Sequence, residues 1–128
     1  MRMEGKLIHI KDAKFLGIIE KHSIVFDDGK DAISPMQAVL LSLAACSGMD
    51  VWNILIKKRK KIKSFEINIE GKRKEKYPKV FEKIKIEYVI EGDVDEKSCK
   101  DAIELSIKKY CSIANMLKAD IETSFKIV

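Results

Sequence analysis

The feature that most constrains this chain is an almost uninterrupted apolar stretch that covers residues 36–55. It is about long enough to cross a bilayer, but Asp50 and Asn53 lie in its second half, where a charge and an amide are costly in lipid. Ser34-Pro35-Met36-Gln37, at its start, has the pattern of a capping box with proline at the first helical position. The sequence therefore predicts no membrane span, but a helix that protein buries on most of its sides, Trp52 included.

Segments with the alternation of half-buried strands lie on both sides of this helix. Three precede it, two follow it as a hairpin, and one ends the chain: 7–10, 15–19, 23–26, 65–69, 84–90 and 121–127. An amphipathic helix is expected between the last two strands, with Asp93 or Asp95 as its cap and with Tyr110 on its buried stripe. A short helix that starts at Cys111 or Ser112, with Met116 packing inward, is expected after it. The order βββ-α-ββ-αα-β predicts one α+β domain over residues 1–128, with antiparallel sheets around a long buried helix.

Charge gives little indication of a nucleic-acid partner. The chain has 25 basic and 20 acidic residues and a net charge of +5, with both signs interleaved along the sequence. The basic runs 57–61 and 72–74 are interpreted as a helix end and a solvated loop. A nucleic-acid-binding domain therefore stays the least favoured alternative, because no recognised binding motif accompanies these runs.

The three cysteines favour thiol chemistry over structural disulfides. The N-terminus lacks the apolar core of a secretory signal, so a cytoplasmic, reducing location is expected. No CxxC is present, and neither His9 nor His22 has a cysteine or carboxylate at metal-ligand spacing, so we expect no bound metal.

The surroundings of each cysteine in the sequence differ. Cys46 lies well inside its helix, where it would ordinarily be a small buried hydrophobe, and Asp50 one turn later would raise its pKa if the two side chains met. Cys111 opens a new helix, either as an exposed junction residue or as a thiol whose pKa is lowered by backbone N–H groups. Cys99 lies on an apolar helical stripe and is expected in the core.

Three segments together resemble one known family. They are 34–37, 44–46 and 109–113, which read SPMQ, AAC and KYCSI. They resemble the OsmC/Ohr family of osmotically induced and organic hydroperoxide resistance proteins, in its OsmC-like branch, and the resemblance extends over nearly the whole chain. It implies an intertwined homodimer with active sites at the subunit interface.

The resemblance also implies a chemistry, that of a thiol peroxidase without metal, haem or flavin. Cys46 is then the thiol that attacks an organic hydroperoxide, and Cys111 closes a disulfide that a dithiol reductant, lipoyl-type or another, reopens. Cys46 and Cys111 are expected within disulfide distance of each other, lining a partly apolar pocket that excludes Cys99.

The sequence departs from the well-studied members of that family in two ways. They carry a glutamate after the proline that opens the helix, where this chain has Met36, and an arginine from the N-terminal strands that has no clear counterpart here. The possible supporting residues are Gln37, Asp50, His22 and Lys14. Two functions therefore stay open: a hydroperoxide reductase, or a non-catalytic module of the same fold that binds an apolar ligand at the dimer interface.

Overall fold

A computed structural model describes all 128 residues. By their internal contacts the residues form two compact units, Met1–Val39 and Leu40–Val128, which are described in turn. The interpretation of residues 1–128 as a single domain stays a prediction.

The first unit is built on the predicted antiparallel meander. Its strands are β1 (Gly5–Lys11), β2 (Lys14–Ile19) and β3 (His22–Phe26), hydrogen-bonded in that order. Neighbouring residues of a strand point to opposite faces, and adjacent apolar pairs are exposed here, so neither face of the sheet is fully covered in the single chain. The exposed apolar side chains are Leu7, Ile8, Ile10, Ile18, Ile19, Ile24 and Val25.

A carboxylate-centred loop and a capping box lead into α1 (Pro35–Lys57). The side chain of Asp27 accepts hydrogen bonds from the backbone N–H groups of the loop that follows β3. The Ser34 N–H then donates to Gln37 Oε1 at 2.9 Å, and the Gln37 N–H donates to Ser34 Oγ at 3.2 Å. The predicted capping box is therefore confirmed at both of its hydrogen bonds.

Only one stripe of α1 is buried in the single chain. Its members recur at three- and four-residue spacing: Leu43, Ala44, Ser47, Val51 and Leu55. Met49 is 65% exposed and Trp52 is 41% exposed, so the expectation that protein buries most sides of this helix, Trp52 included, is wrong for one chain. By length and composition α1 could also cross a membrane, a test that core helices of soluble proteins pass as well.

The second unit holds a mixed sheet in the order β4-β5-β6. The strands β4 (Lys61–Arg73) and β5 (Phe81–Asp93) form the predicted antiparallel hairpin. The last strand, β6 (Asp120–Ile127), pairs with β5 in parallel, so the expectation of antiparallel sheets is wrong at this pair. The physical reason is the helical connection between β5 and β6, which returns the chain to the end where β5 began.

That connection begins with α2 (Glu96–Leu105), which starts after the predicted cap, Asp95. The carboxylate of Asp95 accepts a hydrogen bond from the Ser98 N–H at 3.1 Å. Cys99, Ala102 and Ile103 are buried, which confirms the predicted apolar stripe and the core position of Cys99.

After α2 the chain departs from a regular helix. A π-helical turn covers Ser106–Tyr110, and α3 (Ser112–Met116) follows after Cys111. The wider turn changes which side chains face inward, so Tyr110, expected on the buried stripe, is half exposed. Met116, expected to pack inward from α3, is exposed as well.

Candidate functional site

Two thiols and a carboxylate meet between α1 and the start of α3. The Sγ atoms of Cys46 and Cys111 and a carboxylate oxygen of Asp50 all lie within 4.8 Å of one another. Both cysteines are free thiols. The prediction that these two cysteines, so far apart in sequence, lie close together is confirmed, and the three side chains supply the donors that a metal ion could use.

The two thiols differ in exposure and in their surroundings. Cys46 is half-buried, whereas Cys111 is fully buried at the cap of α3. The Ala114 N–H does donate to Cys111 Sγ at 3.4 Å. Burial, helped by the neighbouring Cys46 and Asp50, nevertheless raises the pKa of the Cys111 thiol to about 11. The interpretation of Cys111 as an exposed junction residue or a thiol of lowered pKa is therefore wrong.

A chain of hydrogen bonds between buried hydroxyl groups ends at the carboxylate of Asp50. Ser106 Oγ donates to Asp50 Oδ2 at 3.0 Å and lies 2.8 Å from Ser47 Oγ, which lies 2.6 Å from the Tyr88 hydroxyl. Because a hydroxyl has one hydrogen and Ser106 donates its own to Asp50, Ser106 Oγ accepts from Ser47, and Ser47 Oγ accepts from Tyr88. Burial raises the pKa of Tyr88 to about 12, which keeps the phenol protonated as the first donor.

The π-helical turn relates two members of this site. The Cys111 N–H donates to the carbonyl oxygen of Ser106 at 2.7 Å, which is the i to i−5 bond of a π turn. The turn thus sets the direction of Cys111 relative to Ser106, whose hydroxyl holds Asp50. Single π turns within helices are frequent at functional sites.

Two cavities flank the thiols. An apolar one of about 830 Å³ lies between α1 and β4, and a smaller groove of about 490 Å³ reaches Asp50. The first is lined by Leu41, Ala44, Ala45, Gly48, Met49, Trp52, Asn53, Phe65, Glu66 and Ile67, and the second by Asp50, Asn53, Ile54, Lys57, Lys58, Leu105 and Tyr110. Neither cysteine lines either space, so the expectation that the pair lines a partly apolar pocket is wrong for these two cavities. Ala45, the neighbour of Cys46 in sequence, lines the first cavity, and Asp50 lines the second.

Comparison with known proteins identifies the family. The family model described as OsmC-like protein matches residues 27–126, which include both cysteines and Asp50. The chain belongs to the OsmC-like family. It is 33% identical to protein YhfA of Escherichia coli K12 over 132 aligned positions that cover 98% of each chain.

Solved structures of other proteins share the OsmC-like fold over the whole chain. A hypothetical protein from Aquifex aeolicus VF5 is 36% identical, with a TM-score of 0.94, over 100% of this chain and 97% of its own. An organic hydroperoxide resistance protein from Legionella pneumophila, described as a predicted redox protein, is 11% identical, with a TM-score of 0.71, over 99% and 96%. The α+β OsmC-like fold predicted from the sequence is thereby confirmed.

The other proposed supporting residues of this OsmC-like chain make local contacts in the first unit. Gln37 is part of the capping box, and Lys14 Nζ lies 3.7 Å from a carboxylate oxygen of Asp31. His22 is exposed at the start of β3. Their support of the thiols stays a prediction, whereas Asp50 does lie beside both sulfur atoms.

Sequence reasoning missed Ser47, Ser106 and Tyr88. A signal was present, because Ser47 interrupts an apolar helix and Ser106 continues, at helical spacing, the apolar stripe of Cys99, Ala102 and Ile103. A buried hydroxyl needs a hydrogen-bond partner. The pattern could therefore have indicated a polar contact inside the core, but not which residues share it.

Proposed function

We propose that this OsmC-like protein reduces organic hydroperoxides with Cys46 and Cys111. The observation that carries the proposal is that these two thiols, on different elements, lie with their sulfur atoms within 4.8 Å in the reduced chain. Unrelated buried cysteines have no reason to meet. The organic hydroperoxide resistance proteins that share this fold support the same chemical class.

The reaction takes place in two steps. The Cys46 thiolate attacks the terminal peroxide oxygen, the O–O bond breaks, and the organic oxygen leaves as the alcohol after it takes up a proton. Cys111 then attacks the Cys46 sulfenic acid, which forms the disulfide and releases water. A dithiol reductant returns the disulfide to two thiols. Cys46 acts first because it is the half-exposed member of the pair.

The protein is proposed to act as a homodimer in the cytoplasm. Apolar side chains stay exposed on β1 to β3 and on α1, including Leu41, Met49 and Ile56, and a second chain would cover them. The apolar cavity of about 830 Å³ lies on the same side of α1 as Met49 and Trp52. It offers a place for the organic tail of a hydroperoxide. A reducing compartment keeps both thiols available.

The test mixes reduced protein with cumene hydroperoxide and follows the loss of peroxide and of thiols together. Wild-type protein should consume one peroxide for each pair of thiols, and Cys46→Ser should consume none, because a serine hydroxyl cannot displace the O–O bond. Cys111→Ser should complete one turnover and leave a sulfenic acid on Cys46 that dimedone labels. Cys99→Ser is the matched control, since Cys99 is buried outside the site.

The proposal fails if Cys46→Ser consumes peroxide at the wild-type rate, or if wild-type protein consumes none. Cys111 is not the second thiol if dimedone labels Cys46 no more in Cys111→Ser than in wild type. Each variant should first be compared with wild type by circular dichroism, so that a folding defect is not counted as a loss of chemistry.

A non-catalytic module for an apolar ligand is the second candidate, and the apolar cavity beside Trp52 favours it. Such a protein would bind an unreactive alcohol of the same carbon skeleton, cumyl alcohol, with a change in Trp52 fluorescence. It would leave cumene hydroperoxide intact. The combination of ligand binding with no peroxide loss would therefore select this alternative.

A further inference from the structure

The thiol pair and Asp50 together have the composition and size of a metal site. A tetrahedral zinc ion holds sulfur at about 2.3 Å and carboxylate oxygen at about 2.1 Å, which separates two sulfur ligands by about 3.8 Å and sulfur from oxygen by about 3.6 Å. The three donor atoms here lie within 4.8 Å of one another, so closing around an ion brings any two of them closer by about 1.2 Å at most. We infer that the reduced protein binds one Zn²⁺ through Cys46, Cys111 and Asp50.

The donors select the metal class. Two thiolates exclude Mg²⁺ and Ca²⁺, which take oxygen ligands. A carboxylate as the third ligand favours zinc over copper(I). Zinc accepts sulfur and oxygen ligands together, whereas copper(I) prefers purely thiolate sites. Binding replaces the proton of each thiol by a bond to the metal, so two protons leave as one ion enters.

The carboxylate is already held in place for this role. Ser106 Oγ donates to Asp50 Oδ2, and Ser47 and Tyr88 extend the same chain of hydrogen bonds into the core. Metal-binding carboxylates are oriented by such hydrogen bonds, which fix the ligand before the ion arrives. Oδ2 takes the hydrogen bond, and a lone pair on either oxygen of Asp50 stays free for the metal.

The groove of about 490 Å³ that Asp50 lines provides the path of entry. Two thiolates, one carboxylate and one Zn²⁺ carry a net charge of −1, and Lys57 and Lys58 on the same groove offset it. Three protein ligands would leave a fourth tetrahedral position for water or another ligand, as in zinc sites that exchange a ligand. No short sequence motif contains all three ligands. Cys46 and Asp50 lie one turn apart on α1, whereas Cys111 lies much later in the sequence, just before α3.

The consequence for activity rests on the proposed function. Both thiols that the peroxide reaction uses are held by the metal, so zinc-loaded protein should consume cumene hydroperoxide at least about tenfold more slowly than metal-free protein. Zinc would thus protect the thiol pair from oxidation until a chelating or competing thiol removes the ion.

The experiment is a competition for Zn²⁺ between the reduced protein and a chromophoric chelator, without peroxide. Wild type and the control Cys99→Ser should each take up one ion per chain. Cys46→Ser and Cys111→Ser should each lose this binding, and Asp50→Asn should bind at least about tenfold more weakly, because the amide carries no charge. Wild-type binding of less than one ion per chain, or Asp50→Asn binding as tightly as wild type, would overturn the inference.

Two measurements on wild-type protein keep the test independent of how the variants fold. Co²⁺ in place of Zn²⁺ should give the sulfur-to-metal charge-transfer band and the strong visible bands of a tetrahedral thiolate site. Zn²⁺ should also protect Cys46, the half-buried thiol of the pair, from iodoacetamide in the folded protein. Metal binding without peroxide consumption would refute the proposed function alone, and peroxide consumption without metal binding would refute this inference alone.

Discussion

Alkaline pH should destabilise the fold through Cys111, and the size of the effect follows from its pKa. Burial first, then Cys46 and Asp50, raise this pKa from the ordinary value of 9.0 to about 11. The unfolded chain therefore loses the thiol proton at a lower pH than the folded protein does. Stability from this group is complete below about pH 9 and is lost as the pH rises toward 11. Linkage gives a loss on the order of 1 kcal/mol between pH 8 and pH 10.

The perturbation that isolates this effect is Cys111→Ser. A serine hydroxyl does not titrate in this range, and its oxygen can accept the Ala114 N–H that the sulfur accepts in the wild type. Urea unfolding of both proteins, with a reductant and a chelator present, should be measured at pH 8 and pH 10. The free energy of unfolding of the wild type should fall by about 1 kcal/mol more than that of the variant.

The difference between the two proteins is the quantity to test, because other groups titrate in both. Burial also raises the pKa of Cys99 and of Tyr88, so both contribute a loss of the same sign. These contributions cancel to first order in the comparison. Equal losses for wild type and Cys111→Ser between pH 8 and pH 10 would show that Cys111 titrates in the folded protein much as it does in the unfolded chain.

Three glycine substitutions test the packing around the helix and the hairpin by urea unfolding. In Gly71→Ala a methyl group would lie 2.7 Å from the buried ring of Phe81, and we expect a loss of about 1–3 kcal/mol. In Gly48→Ala the methyl would lie 2.9 Å from the tip of the half-buried Ile67 side chain, which can turn away, so the helix propensity of alanine should leave stability unchanged or higher by up to about 1 kcal/mol. Gly92→Ala should prevent folding, because φ is +148° and the new Cβ would clash with backbone atoms of the facing strand; a soluble variant with the wild-type midpoint would contradict this.

The elements of the fold were predictable because their signals are local. The alternation of apolar and polar residues along 84–90 indicates a strand with one buried face. The pair Ser34 and Gln37 indicates the start of a helix. The parallel pairing of β6 was not predictable in this way, because pairing direction depends on the path of the whole connection from β5. The exposure of α1 was not predictable either, because an apolar helix has the same sequence whether its own chain or a second chain covers it.

The site was predictable only in part, and for a different reason. Cys46 and Cys111 came from the resemblance, which relates positions far apart in sequence. Asp50 was a possible supporting residue because it lies one turn from Cys46. Regular helical spacing does not detect a π-helical turn. The regular pattern therefore placed Tyr110 on the buried face, although it is half exposed. Cys111 is fully buried, and local reasoning about a helix start does not include burial, so it gave the pKa of this thiol the wrong direction.

The raised pKa of Cys111 bears on the order of the two thiols in the proposed reaction. With a pKa of about 11, roughly one Cys111 thiol in 10⁴ is ionised at pH 7, so this residue is a poor first nucleophile in the reduced protein. Part of that increase comes from the Cys46 thiol beside it and from the carboxylate of Asp50. Oxidation of Cys46 changes the first of these neighbours and supplies an electrophilic sulfur within reach. Cys111 is therefore suited to the second step, where its target is already adjacent and a small ionised fraction is enough.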